Sequence, residues 1–240
     1  MIFALDSGSE IGQRTAWVLL GDARCTQLVM LNPGWKPSDS RAIQTKDVSG
    51  ADVLISDGTT PTASLIGRAS VAGTPLVIWP DAVESEYGPA SVPVIVGANV
   101  GSALVDALLT HPASMPTSDE TATVAWTEPG RPHRDGVPIA FPEPVGAAWT
   151  EERSSGRFVA YRDDEWAAAT TVVEGQDGQR VVGVADNGAH LEALTLAAVG
   201  FVAAAGCFEA GIQPPLFALS EILAEARNLE LDVAVWRSTP

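Results

Sequence analysis

The first candidate for chemistry is a glycine-containing loop that follows the first apolar run of the chain. The run Ile2–Leu5 ends in Asp6-Ser-Gly-Ser-Glu-Ile-Gly12, and residues 13–20 then have the apolar spacing of a helix. A strand, a glycine turn and a helix in this order typically bind a dinucleotide, because backbone N–H groups at the helix N-terminus hold the pyrophosphate. We therefore predict a nucleotide site formed by Gly8, Ser9, Ile11 and Gly12.

Two acidic residues in this loop argue against a nucleotide site. Asp6 stands where the first glycine of a G-x-G-x-x-G motif would be. Glu10 would compete with a pyrophosphate for the same N–H donors and would repel its charge. The sequence therefore leaves an alternative open, in which the domain has lost its cofactor and serves as a non-catalytic binding or assembly module.

The segment after the second apolar run bears on which nucleotide is bound. Asn32 follows Gly12 by twenty residues, at the place where an Asp or Glu would hold the ribose 2′-hydroxyl of NAD, and Lys36 comes shortly after it. A lysine beside a neutral strand end suits the 2′-phosphate of NADP. We predict NADP as the cofactor and keep NAD as an alternative. The competing interpretation of Lys36 is a solvated lysine on a surface turn.

The densest polar cluster is Pro129-Gly-Arg-Pro-His-Arg-Asp-Gly136. Guanidinium groups hold carboxylates or phosphates through paired hydrogen bonds, and a histidine can act as a general acid near neutral pH. We predict a small anionic substrate, with His133 as the acid and Arg131 or Arg134 as its anchor. A hairpin loop with solvated charges would give the same sequence.

A second histidine precedes the longest apolar segment, in Asp186-Asn-Gly-Ala-His190. Asp186 or Asn187 is predicted to cap the helix that follows, because short polar side chains accept hydrogen bonds from first-turn N–H groups. His190 would then lie in the first turn, where a structural role is the default and a catalytic role is the alternative.

Composition excludes several classes of function. The chain has 30 acidic and 14 basic residues and a formal net charge of −16, which argues against nucleic-acid and anionic-membrane surfaces. Cys25 and Cys207 lie far apart, so a disulfide scaffold or zinc ribbon is not expected. A charged leader region is missing, and Leu191–Phe208 indicates a buried helix and not a membrane span. We expect a cytoplasmic protein.

The order of elements predicts an α/β fold with two domains. In residues 1–115, short Val- and Ile-rich runs alternate with helical patterns, which indicates a Rossmann-like parallel sheet of five or six strands. Residues 116–240 have alternating runs separated by glycine turns, followed by helices, which predicts an α+β domain with a largely antiparallel sheet. Asp177-Gly178 is the clearest hairpin turn. An exposed face of this sheet would form a homodimer or a higher homo-oligomer.

Three junctions of the first 110 residues resemble the two-domain reductases of the dihydrodipicolinate reductase type: Ser7-Gly-Ser-Glu-Ile-Gly12, Asp57-Gly-Thr-Thr-Pro61 and Gly97-Ala-Asn-Val-Gly101. The resemblance implies that Thr59, Thr60 and Asn99 face the nicotinamide end of a cofactor. It also implies an NADP-dependent oxidoreductase acting on a small anionic carbonyl or imine compound between the domains. The paired histidines, nearby lysine and Ser-Gly-Thr loop of that family have no counterpart here, so a different substrate is expected.

Replacing Lys36 with alanine tests the choice of nucleotide. We expect Lys36→Ala to weaken NADPH binding by about 1.5–3 kcal/mol, because a charge-assisted contact to the 2′-phosphate is lost. NADH lacks that phosphate and should lose little. Titration of both nucleotides by protein fluorescence measures the difference, and an equal loss for the two would contradict the assignment.

Overall fold

Two seven-stranded sheets organise the chain. The computed structural model describes residues 1–31, 34–80, 90–132, 135–176 and 178–238. Within these ranges one sheet is entirely parallel and the other is mixed and mostly antiparallel. The predicted fold class, a Rossmann-like sheet together with a largely antiparallel one, is therefore confirmed.

The first sheet is assembled mainly by the N-terminal half of the chain. Its elements there are β1 (Ile2–Asp6), α1 (Glu10–Gly21), β2 (Gln27–Met30), β3 (Ala42–Gln44), β4 (Val53–Ser56), α2 (Thr62–Ala72), β5 (Leu76–Ile78), β6 (Pro93–Val96), a π-helical turn (Val100–Leu104) and α3 (Val105–Leu108). The central strands are apolar along their length because both of their faces are buried, as all four residues of β4 are. Gly73 ends α2 at φ 68°, the left-handed cap expected of it.

The second sheet follows after a short 3-10 helix, Pro112–Ser114. Its strands are β7 (Thr121–Pro129), β8 (Val137–Ala140), β9 (Ala147–Ser154), β10 (Arg157–Arg162), β11 (Trp166–Gly175) and β12 (Gly178–Asn187). The predicted hairpin joins β11 to β12, with Gly175 opposite Gly178, although Asp177 itself lies outside the described residues. The sequence did not indicate β9, because most of its side chains are exposed and its apolar alternation is weak.

The C-terminal segment contributes a strand to each sheet. It forms α4 (Gly188–Ala204), β13 (Gly211–Gln213), α5 (Leu219–Asn228) and β14 (Ala234–Ser238). The sheet order is β13-β6-β5-β4-β1-β2-β3 in the first sheet and β14-β12-β11-β7-β10-β9-β8 in the second. The parallel sheet thus has seven strands where five or six were expected, because β3 and β13 are three-residue edge strands without an apolar run of their own.

Helix α4 lies between the two sheets. Twelve of its 17 residues are buried, and it contacts β4 and β5 on one side and β11 and β12 on the other. A helix that is apolar on every face must be buried on every face, and this position between the sheets explains why α4 is composed almost entirely of apolar residues. The boundary predicted between residues 1–115 and 116–240 remains a prediction, but α4, β13 and α5 pack with the first region. None of the helices in the described ranges is long and apolar enough to cross a membrane.

The packing of α4 on the first sheet has a measurable consequence. Phe201 meets Phe3 edge to face, with ring centroids 4.7 Å apart, and both side chains are buried. In a double-mutant cycle, Phe3→Leu and Phe201→Leu should show a coupling energy of about 0.5–1.5 kcal/mol in urea unfolding. Phe158 packs in a separate cluster of the second sheet, so Phe158→Leu should combine additively with Phe201→Leu. Additivity of the Phe3 pair would argue against this contact.

Candidate functional site

A cleft of about 610 Å³ lies between the carboxyl edge of the first sheet and the second sheet. One wall is the first turn of α1 together with Trp79, which follows β5. The opposite wall comes from Thr127–Pro129 at the end of β7 and from residues within 162–167. The N-terminal end of α4 closes the cleft. Two helix N-termini therefore face the same cavity, and each carries a partial positive charge.

A smaller pocket of about 470 Å³ adjoins this cleft. The two cavities share Trp79, Glu192 and the end of β7, and Asn99 lines only the smaller one. Ligands of open parallel sheets bind outside the carboxyl ends of the strands. The two adjoining cavities are therefore the best candidate for a binding site in the described part of the chain.

The glycine loop at the start of α1 is occupied by a carboxylate of the protein itself. Asp57 Oδ2 accepts hydrogen bonds from Gly8 N at 2.9 Å, Ser9 N at 2.8 Å and Ser9 Oγ at 2.7 Å. Asp57 is only 5% exposed. The N–H groups predicted to hold a pyrophosphate are thus already paired.

The other oxygen of the same carboxylate is also paired. Asp57 Oδ1 accepts from Thr59 N at 3.2 Å and from Thr59 Oγ1 at 2.8 Å. A Cβ on Gly12 would lie 2.5 Å from Asp57 Oδ2 and 2.1 Å from Ser7 Oγ, so only glycine fits there. Gly12 is therefore required by internal packing, whether or not a nucleotide binds.

The sheet register brings Asp57 to the loop. β1 and β4 are neighbouring parallel strands with Asp6 opposite Ser56, so the residues that follow them meet at one edge. Asp57 is the next residue after Ser56, and the positive end of α1 favours an anion there. In the sequence, Asp57 is noticeable only as the first residue of the motif Asp57-Gly-Thr-Thr-Pro61. Its place directly after a buried strand was the available signal, but the strand order was needed to interpret it.

The hydrogen bonds keep Asp57 ionised. Burial raises the pKa of this carboxyl, but the bonds from the Ser9 hydroxyl, the Gly8 N–H and Thr59 outweigh that effect, and the net pKa lies below its ordinary value. Two unit charges 4 Å apart repel by about 4 kcal/mol at an effective dielectric constant of 20. In the described conformation, therefore, the loop does not fit a pyrophosphate.

A second carboxylate occupies the neighbouring strand-to-helix junction. Glu192 Oε2 accepts from Trp79 Nε1 at 2.8 Å and from Val100 N at 3.1 Å. Asn99 caps the same π-helical turn, because its Oδ1 accepts from Ser102 N at 2.9 Å while its Nδ2 donates to Trp79 O at 3.1 Å. Asn99 thus borders a pocket, as the resemblance implies, and it also has a structural role. Glu192 is the only acidic residue of α4, and this isolated charge in an apolar helix was the available sign of its role.

The remaining residues of the predicted site do not all lie at the cleft. Ser9 and Ile11 line the cleft, while Lys36 and Arg131 are exposed and are not part of its lining. Thr60 is partly buried and also lies outside the lining. His133 and Arg134 lie outside the described residues. The structure therefore brings together one subset of the predicted site around Asp57: Gly8, Ser9, Gly12 and Thr59.

The described lining of the cleft is acidic. Five carboxylates border it, against two guanidinium groups: Glu10, Glu128, Asp164, Glu165 and Glu192, with Arg14 and Arg162. Both guanidinium groups already have an acidic partner, Glu10 for Arg14 at 3.0 Å and Asp164 for Arg162. The anionic substrate stays a prediction that rests on Arg131, His133 and Arg134, since this lining offers no unpaired cation.

The N-terminus of α4 differs from its expected form. Asn187 is the capping residue, but its side chain makes no capping hydrogen bond, and its buried Oδ1 has no partner among the described residues. The Gly188 N–H is taken up instead by the Glu165 carbonyl oxygen at 2.7 Å. Asn187 is therefore the capping residue, as one of the two predictions had it, but the expected side-chain hydrogen bond is absent. His190 lines a separate pocket with Val18 and Leu229, so it does not face the cleft.

Comparison with known proteins shows the fold. No family model matches the chain, and no curated protein matches it in sequence. A dipicolinate-bound dihydrodipicolinate reductase from Paenisporosarcina sp. TG-14 superposes with a TM-score of 0.52 at 10% identity, covering 90% of this chain and 98% of that one. A homospermidine synthase from Legionella pneumophila in complex with NAD gives a TM-score of 0.55 at 8% identity, with coverages of 99% and 92%. An engineered D-amino acid dehydrogenase bound to NADP+ gives 0.52 at 10%, with coverages of 92% and 96%.

These likenesses confirm the predicted resemblance at the level of architecture. The match extends over at least 90% of this chain in each case, and therefore includes the second sheet. Identities of 8–10% carry no information on substrate or on individual site residues. The class defined by fold and site is thus a two-domain protein with a Rossmann-like sheet and a cleft at its carboxyl edge.

The pairing of Asp57 predicts a pH-dependent contribution to stability. Asp57→Asn should lower the free energy of unfolding at pH 7 by about 1–3 kcal/mol, because one amide oxygen cannot replace both carboxylate oxygens. A folded pKa below the unfolded value of about 3.9 means that the contribution is complete above that pH and is lost as the pH falls through the folded pKa. Urea unfolding between pH 7 and pH 2 should show the two proteins converging.

Asp52→Asn is the matched control for this comparison. Asp52 also accepts a backbone hydrogen bond, from Ile2 N at 2.7 Å, but it is exposed and lies at the opposite edge of the sheet. Its replacement should change stability by less than about 0.5 kcal/mol. A pH-independent difference between wild type and Asp57→Asn would show that the charge of Asp57 does not stabilise the loop.

Proposed function

We propose that the protein is an oxidoreductase of the two-domain, nicotinamide-nucleotide-dependent class and that it acts on a small molecule in the cleft. The observation that carries this proposal is the cleft of about 610 Å³, into which the N-termini of α1 and α4 both point. It lies at the carboxyl edge of a parallel sheet, the usual place for ligands of this architecture. The fold shared with structures solved with NAD or NADP+ supports the same assignment.

The finer assignments are part of this proposal. The phosphates are proposed to bind at the loop of Gly8, Ser9 and Gly12 once the Asp57 side chain has left it, and the nicotinamide near Asn99 and Trp79 in the adjoining pocket. NADP is preferred to NAD on account of Lys36, which is exposed and therefore available to a 2′-phosphate. A bound nicotinamide nucleotide would supply hydride chemistry. In the described conformation Asp57 holds the donors that the phosphates would use.

The substrate is proposed to be a small anion, a carbonyl or imine compound. Arg131 or Arg134 would anchor it, and His133 would supply the proton. Arg131 and Arg134 are preferred as the anchor to the arginines of the cleft lining, since Arg14 and Arg162 are already paired with acidic residues. Loss of turnover in His133→Ala with retained nucleotide binding would support the assignment of the acid.

The second candidate is a binding or assembly protein without a cofactor. The specific observation in its favour is Asp57, which satisfies in the folded chain the donors that a pyrophosphate would need. Asp6 is also fully buried beside this loop and adds a second carboxyl group to it. In this alternative the loop is a structural turn, and the cleft binds its ligand without nucleotide.

Self-association and location complete the proposal. We propose a homodimer or a higher homo-oligomer, supported by half-exposed apolar side chains on the two edge strands of the second sheet, Val137 on β8 and Val235 on β14. A cytoplasmic location is proposed from the composition of the chain. Neither nucleic acid nor membrane is proposed as a partner, since the net charge is −16.

Fluorescence separates the two candidate functions. NADPH should quench indole emission saturably, because Trp79 lines both cavities. Trp79→Phe should remove most of the quenching. Trp17→Phe, a half-exposed tryptophan outside the lining, serves as the control and should retain it. If neither NADPH nor NADH gives saturable quenching at millimolar concentration, the oxidoreductase proposal fails and the cofactor-free candidate replaces it.

A further inference from the structure

The glycine loop directs three hydrogen-bond donors at a single point. Gly8 N, Ser9 N and Ser9 Oγ all lie 2.7–2.9 Å from Asp57 Oδ2. These are distances of well-formed hydrogen bonds, and the acceptor is a carboxylate that stays ionised. The same point is where an oxygen of a phosphate would be bound by a loop of this kind. Asp57 Oδ2 therefore has the position of a phosphate oxygen.

Helix capping alone does not account for this arrangement. Ser9 is already the N-cap of α1, since its Oγ accepts from Gly12 N at 3.3 Å. Asp57 comes from a different strand, 48 residues later in the chain, and adds a charge to a helix end that already has its side-chain cap. Its second oxygen is fixed separately by Thr59, so both ends of the carboxylate are held in place.

The surrounding residues are fitted to the carboxylate. Gly12 has no room for a Cβ beside Asp57 Oδ2, and a Cβ on Gly8 would come within 3.0 Å of Thr59 Oγ1. The loop, the helix start and the residues after β4 therefore form one closed unit around Asp57. A phosphate cannot reach the three donors while this unit is intact.

We propose that Asp57 is an internal competitor for the phosphate site, and that it determines the affinity of this chain for dinucleotides. The inference rests on the proposed function, because it assumes that the loop retains the geometry of a phosphate site. A phosphate takes the position of Oδ2 only when the Asp57 side chain leaves, and the Gly8 and Ser9 donors then pass from one anion to the other. Weak binding by the unmodified protein follows directly.

Two substitutions at Asp57 distinguish the effect of the space that its side chain fills from the effect of its negative charge. Asp57→Ala removes the competing oxygen and leaves the three donors directed at an empty position. Asp57→Asn retains an oxygen for those donors but removes the negative charge. We expect affinity for the probe to follow the order Asp57→Ala, then Asp57→Asn, then wild type, with Asp52→Asn equal to wild type because its carboxylate lies at the opposite sheet edge.

The experiment uses the full chain and two probes, NADPH and inorganic pyrophosphate. Binding of NADPH is followed by quenching of tryptophan emission, and binding of pyrophosphate by the shift of the thermal unfolding midpoint. We expect Asp57→Ala to bind NADPH at least tenfold more tightly than wild type. We also expect pyrophosphate to raise the unfolding midpoint of Asp57→Ala while leaving that of wild type unchanged.

The outcomes distinguish this inference from the proposed function. Wild type and Asp57→Ala binding NADPH with equal affinity would overturn the role of Asp57 and leave the oxidoreductase proposal standing. If no variant that unfolds cooperatively binds NADPH, both this inference and the oxidoreductase proposal are overturned. Should Asp57→Ala not fold, Asp57→Asn decides the question, since an affinity for NADPH less than threefold above that of wild type would overturn the inference.

Discussion

The burial of α4 between the two sheets is the constraint on which the rest of the structure depends. The helix is nearly without charge and must be covered on every side, and neither sheet alone can do this. It packs on β4 and β5 of the parallel sheet and on β11 and β12 of the other. The same placement points its N-terminus into the cleft and brings Glu192, its one acidic residue, to Trp79 and Val100. Packing and site geometry therefore have a common cause.

Electrostatics at the carboxyl edge of the parallel sheet follow from this architecture. Several helical N-termini lie near that edge, and each is a favourable place for an anion. The chain supplies carboxylates to two of them, Asp57 at α1 and Glu192 at the turn beginning at Val100. These contacts stabilise the folded chain and use donors that ligands of this fold would otherwise engage. Under the proposed function, a ligand and these carboxylates would compete for the same donors.

The elements were predictable wherever one local signal was strong. Val- and Ile-rich runs indicated the central strands, Gly73 indicated the end of α2, and Gly178 marked the hairpin between β11 and β12. The signals failed for β3 and β13, which have three residues each and are held by pairing to β2 and β6. They failed for the parallel pairing of β7 with β10 as well, since strand direction is decided by the path of the chain between strands and not by the residues within them.

The sequence by itself determined the class of fold, the glycine loop at the start of α1 and the acidic net charge of the chain. The first two depend on local residue types, and the net charge is a sum over all residues. Tertiary structure alone decided what fills the loop. Asp57 and Ser9 are 48 residues apart, and only the parallel pairing of β1 with β4 places the carboxylate 2.8 Å from the Ser9 N–H. The same glycines would stand in the sequence whether the loop binds a phosphate or an aspartate side chain. Both groups are anions, and both accept hydrogen bonds from the same N–H donors.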